Sequence, residues 1–227
     1  MSISALALFG SRARGDHEPE SDVDLLLVTS EPTHRHVTMG NLSFSIYPFV
    51  ELMGRAKRGD LFVCHIVNEA KVLYDPGELL KELRSSFHLQ KSYNREIGHA
   101  SDLGWFLVRF GKSLANGSIV TRRIAWCVRT ILIARSAERG DPVFSTAKLS
   151  AFAELPVAQR LIRQKGQDTL NPVMLDDLRR FLAKCGMADP VPNAASSDVY
   201  FSRFEKTAND VACQTLRLAQ HESTTNY

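Results

Sequence analysis

Apolar residues fall in two regimes along this chain: short strand-length runs before Gly77, and longer stretches at helical spacing after it. Ile3–Phe9 and Asp22–Thr29 are the first two such runs and predict β-strands. Val37–Met39 and Leu42–Tyr47 flank Gly40-Asn41, a two-residue connection suited to a hairpin. Phe49–Lys57 has helical spacing and stops before Gly59, after which Asp60 can cap a second helix reaching about Asn68. Lys71–Tyr74 is a short strand, and Asp75-Pro76-Gly77 breaks the pattern.

Beyond Gly77 the pattern predicts helices at Glu78–Phe87, Tyr93–Leu114, Ile119–Arg139, Thr146–Ala153, Val157–Lys165 and Pro172–Lys184. A loop follows over Ala188–Asn193, then one long helix over Ser197–Gln220 and a frayed tail over 222–227. The fold class is therefore α+β: a small mixed-sheet domain over residues 1–77, followed by an all-α helical bundle over 78–227.

Composition narrows the class. With 44% hydrophobic and 23% charged residues, the 227-residue chain matches an ordinary soluble globular protein. No apolar run approaches the ~20 residues of a membrane span, and Ile3–Phe9 lacks the flanks of a secretory signal. Cys64, Cys127, Cys185 and Cys213 are widely spaced and form no Cys-x-x-Cys, which suits reduced thiols used for packing in a cytoplasmic protein. Residues 1–77 carry seven Lys/Arg against ten Asp/Glu, so the formal +3 of the chain comes from the later part. That imbalance is compatible with a phosphate-rich substrate and equally with a solvated helix surface.

The chemistry concentrates in residues 8–27. An apolar strand delivers the chain to Gly10-Ser11, a turn whose backbone N–H groups and hydroxyl can hold phosphate where a short helix begins. Ten residues after Ser11 come Asp22-Val23-Asp24, and strand alternation puts the two carboxylates on one face. Paired carboxylates with no His or Cys beside them suit Mg²⁺ or Mn²⁺. Arg12 and Arg14 are candidates to add positive charge at a nucleotide's phosphates, with solvent exposure as the ordinary alternative. Further along, Arg122, Arg123 and Arg129 surround Trp126 at helical spacing, and Arg95 and His99 lie one turn apart. Such arginines can hold nucleotide phosphates or base; the ordinary alternative is a charged helix face beside a buried Trp126 and Ile124.

The sequence Gly10-Ser11, ten residues, Asp22-x-Asp24, with Arg12-Ala13-Arg14-Gly15 and Ser21 around it, resembles the minimal nucleotidyltransferases of the DNA-polymerase-β superfamily. The stretch Ile66–Tyr74 also looks like the end of such a domain. The resemblance implies transfer of a nucleoside monophosphate from an NTP, ATP before others, to a protein, small-molecule or RNA acceptor, with Mg²⁺ or Mn²⁺ as cofactor. Asp22 and Asp24 are then the catalytic metal ligands, and Gly10, Ser11, Arg12 and Arg14 the nucleotide contacts. The alternative is a catalytically degenerate member that binds nucleotide or a partner and regulates it. The resemblance also implies a third carboxylate on a later strand, and the matching segment, Leu42–Pro48, has Ser45 at the expected place, with Glu51 nearby in sequence.

Overall fold

The computed structural model describes residues 2–193 and 196–221. It divides into two compact units: the chain up to Lys91 together with Ala137–Ser145, and Ser92–Ser136 together with the chain from Thr146 onward. The expected tail over 222–227 lies outside the described residues.

In the first unit, β1 (Ile3–Phe9), β2 (Val23–Thr29), β3 (Arg35–Met39), β4 (Leu42–Pro48) and β5 (Lys71–Tyr74) form one mixed sheet in the order β3-β4-β2-β1-β5. β2 and β4 run parallel; every other neighbouring pair is antiparallel. The five-residue α1 (Gly10–Arg14) links β1 to the loop before β2, and α2 (Phe49–Lys57), α3 (Leu61–Glu69) and α4 (Leu79–Ser86) follow. Alternation along β1 buries Ala5, Ala7 and Phe9 on one face, level with Val28, Leu26 and Asp24 of β2. Leu52 and Ala56 of α2, Val63 and Ile66 of α3, and Leu80 and Leu83 of α4 complete that core. The two alanines of β1 leave room for bulky helix side chains to reach the sheet.

Local chemistry explains where the helices begin. The Asp60 carboxylate accepts from the Phe62 and Val63 amides at 2.9 and 3.1 Å and also receives Arg55 at 3.0 Å. Asp75 caps α4 in the same manner, accepting from Leu79 and Leu80 at 2.9 Å. The break at Asp75-Pro76-Gly77 is thus the start of a helix whose Leu80 and Leu83 belong to the first core, which is why the first unit continues to Lys91.

The second unit is helical: α5 (Asn94–Phe110), α6 (Gly117–Glu138, whose last residues count with the first unit), α7 (Thr146–Ala153), α8 (Pro156–Arg163), α9 (Pro172–Lys184), α10 (Ser197–Lys206) and α11 (Asp210–His221). Gly104 of α5 lets Leu182 of α9 approach closely, and Phe106 meets Tyr200 and Phe204 of α10 edge-on at 5.8 Å. The single helix expected over Ser197–Gln220 is instead two. The chain turns at Ala208 (φ 51°), and the fully buried Asn209 donates to the His99 carbonyl at 2.9 Å while its own carbonyl caps the Ala212 amide. A long-range hydrogen bond to α5 therefore sets the break, and the apolar periodicity on either side carries no trace of it. Among the described residues no helix is long and apolar enough to cross a membrane. All four cysteines are free thiols; burial, with the Asp60 charge adding to it, pushes Cys64 up to about 12.

Replacing Asp60 by Ala should cost about 1–2 kcal/mol of stability, since two α3 amides and Arg55 lose their acceptor. Asp60→Asn should recover most of the cap. Urea unfolding of both variants checks this, and equal losses in the two would refute the capping account.

Candidate nucleotide and metal site

Phe9 ends β1 in extended backbone, and the chain then turns sharply at Gly10, with φ 75°. That left-handed conformation suits glycine. A second constraint is steric: a β-carbon on Gly10 would lie 2.5 Å from Oδ2 of Asp24. The space of the missing side chain is taken by the carboxylate of the acidic motif. Phe9 and Asp24 are direct partners across β1 and β2, so the strand register itself delivers Asp24 to the turn. No side chain caps the first amides of α1, and such amides at a helix start favour an anion.

Asp22 lies just outside β2 and is exposed, whereas Asp24 is half-buried. On β4 the residue level with Asp24 is Ser43; Ser45 is level with Leu26, two positions further along. Ser43, and not Ser45, is thus the β4 residue beside Asp24. Glu51 belongs elsewhere. It sits on α2, beyond the far end of β4, and pairs with His34 at 2.8 Å. Among the described residues no group of three or more His, Cys, Asp or Glu could hold a metal ion. Two carboxylates and a serine hydroxyl nonetheless fit Mg²⁺ or Mn²⁺, since Mg²⁺ characteristically takes one or two carboxylates and completes its shell with water and substrate phosphate.

The two motif arginines turn toward the protein. Arg12 donates through Nε and Nη2 to the Ser21 carbonyl at 3.1 and 2.9 Å, pinning the loop immediately before Asp22. Ser21 in turn closes a turn with Glu18, through backbone and hydroxyl alike. Arg14 donates to both oxygens of Asp16 at 3.0 and 3.1 Å and to Glu69 on α3 at 2.6 Å. Burial works against charge on Asp16, but hydrogen bonds from Arg14 and Ser145 prevail and hold its carboxyl below the usual aspartate range. Gly15 then ends α1 in the left-handed conformation. His17 is exposed in the same loop.

Of the arginines and the histidine singled out in the helical part, His99 and Arg123 have partners within the second unit. His99 hydrogen-bonds the Thr207 carbonyl at 2.9 Å, and Arg95 is exposed. Arg123 reaches Gln214, and burial lowers its pKa. The residues that sequence reading missed as neighbours of the site are Ser43, His65, Phe144 and Ser145. None of them had a local signal: strand register places Ser43 beside Asp24, and contacts distant in sequence place the others.

Residues 2–97 match the family model described as the nucleotidyltransferase domain. Among solved structures, the chain is similar to a nucleotidyltransferase-like protein from Exiguobacterium sibiricum 255-15, at 14% identity over 95% of this chain and 74% of that one, with a TM-score of 0.30. That likeness is too loose to carry an argument. No curated protein matches the chain.

Gly10→Ala should cost only about 1–2 kcal/mol of stability from the left-handed backbone, because Asp24 can rotate away from the new methyl. The displaced carboxylate should nonetheless reduce Mg²⁺-dependent NTP affinity at least tenfold. Thermal unfolding and NTP titration of one sample separate the two effects.

The pH dependence of the loop has a definite sign. A carboxyl whose folded pKa is lowered adds stability above its unfolded value, 3.8 for Asp16, and loses it as pH falls through the folded value. The stability difference between the wild-type chain and Asp16→Asn should thus be constant near neutrality and shrink as pH drops below 3.8. Denaturant unfolding across the acid range checks it.

Proposed function

We propose that the protein is a divalent-cation-dependent nucleotidyltransferase that moves a nucleoside monophosphate from an NTP, ATP being the first to test, to an acceptor. The observation that carries this reading is the packing of Asp24 against Gly10, which joins an acidic pair to a phosphate-binding turn. The first amides of α1 and the Ser11 hydroxyl hold the triphosphate. Asp22 and Asp24 would hold Mg²⁺ or Mn²⁺, which supplies charge neutralisation at the phosphates when bound. Arg12 keeps Asp22 in place by pinning the Ser21 carbonyl. In the transfer, an acceptor oxygen forms a bond to the α-phosphorus, the bond to the bridging oxygen breaks, and pyrophosphate leaves with its electron pair. Alignment and electrostatics do most of this work. The acceptor's proton must pass to Asp24, Asp22 or water, because Ser43 is neutral. A protein hydroxyl, a small-molecule hydroxyl and an RNA 3′ end all suit this scheme.

Ser43 also favours a second reading, a nucleotide-binding regulator without turnover. With serine level with Asp24, no third carboxylate from β4 strengthens the cation site or serves as base.

Replacing both Asp22 and Asp24 by Asn should weaken Mg²⁺-dependent NTP binding by ~10²-fold or more, from two lost charged contacts, with the fold intact by circular dichroism. Equal affinity in the double variant, with and without Mg²⁺, would overturn the site. Ser43→Asp, assayed with each labelled NTP at saturating Mg²⁺ and a cell extract as acceptor source, separates the readings. An impaired enzyme should speed up by as much as ~10²–10⁴-fold, whereas a binding protein should gain cation affinity without pyrophosphate release.

A further inference from the structure

The segment Ala137–Ser145 comprises the last two residues of α6 and the connection to α7, in the midst of the helical half, yet it packs with the first unit. Two of its residues, Phe144 at 3% exposure and Ser145 at 8%, are buried there. Ser145 hydrogen-bonds the Asp16 carboxylate. Asp16 accepts from Arg14, and Arg14 donates to Glu69 at 2.6 Å. Glu69 Oε2 lies 2.6 Å from Nε2 of His65, at an angle that makes no hydrogen bond. The His65 ring stacks on Phe144, with centroids 4.6 Å apart and planes within 14°, and meets Phe9 edge-on at 5.5 Å. The contacts close into a circuit that begins and ends on neighbouring residues: Ser145, Asp16, Arg14, Glu69, His65, Phe144. It grips both flanks of α1, since Phe9 stands just before Gly10 and Arg14 and Asp16 stand at and beyond its end.

We propose that Phe144 and Ser145 are positioning residues that brace the nucleotide-binding turn, so that the affinity of the first unit for NTP depends on a segment from the other half of the chain. This rests on the nucleotide assignment made above for Gly10 and Ser11. The physical case is that a five-residue helix has too few internal hydrogen bonds to hold its own geometry. Side-chain ties to charged groups are the stronger ones available. Arg14 serves as a strut in this circuit, with both Asp16 and Glu69 as its partners, and so contributes to phosphate binding by fixing the turn.

The test uses the full chain carrying Ser145→Ala or Phe144→Leu, with Ser145→Thr as the variant that keeps a hydroxyl. Hydrogen–deuterium exchange is read first, without nucleotide, at the Gly15 and Asp16 amides, both of which bond the Ser11 carbonyl. ATP affinity is then titrated with Mg²⁺ at a temperature where all chains are folded. Exchange at those amides should rise about tenfold in the first two variants and ATP affinity should fall by about the same factor, as for one lost hydrogen bond to a charged group in Ser145→Ala and one lost ring stack in Phe144→Leu. Exchange in β3 and β4 should stay constant, and Ser145→Thr should behave as wild type. Unchanged exchange at Gly15 and Asp16 in either of the first two variants, or faster exchange with unchanged ATP affinity, overturns the proposal. If the wild-type chain itself binds no NTP, the nucleotide assignment fails, and the exchange measurement still decides whether the brace exists.

Discussion

Much of the site depends on an absence of atoms at Gly10. The left-handed turn there and the Asp24 carboxylate that fills the vacated space are one constraint seen from two strands. Phe9 pairs with Asp24 in the ladder, so a shift of β1 against β2 by one residue would turn Asp24 to the opposite face. The hydrophobic alternation that buries Ala5, Ala7 and Phe9 prevents that slip. Core packing and site geometry are therefore specified by the same register.

Most of the first unit was legible because its signals are local. β1, α2 and β5 fall where alternation, helical spacing and the Gly59 stop put them, and Asp60 caps α3 through its own carboxylate. The Gly-Ser and Asp-x-Asp pairs stand out as a motif for the same reason: each lies within a few residues of its partner. Sequence reading failed where a distant contact decides. Ser43 stands beside Asp24 because of strand register, Asn209 divides the last helical stretch because of α5, and α4 joins the first core although a Pro-Gly pair precedes it. Arg12 and Arg14 show a second limit of sequence reading. Residue type gives charge, but its direction is set by which carbonyl or carboxylate the fold presents.

Charge around the motif is balanced tightly. Arg14 is shared between Asp16 and Glu69, and His65 adjoins the same Glu69, so a single glutamate is the common neighbour of two potential cations. Such pairing keeps α1 from presenting free positive side chains of its own at that end. What the turn can offer an incoming anion is then mainly backbone N–H and the Ser11 hydroxyl, which recognise phosphate irrespective of the base attached to it.

The discontinuous make-up of the first unit has a consequence for its birth on the ribosome. Its sheet and helices are encoded by Lys91, but Phe144 and Ser145 emerge some fifty residues later. At ~5–20 residues per second this is a delay of roughly 3–11 s. During it the nascent first unit has its core without the ring that stacks on His65, and the motif loop lacks one of its hydrogen-bond donors. Vectorial synthesis thus separates in time the emergence of the sheet with its helices from that of the two residues that pack beside α1.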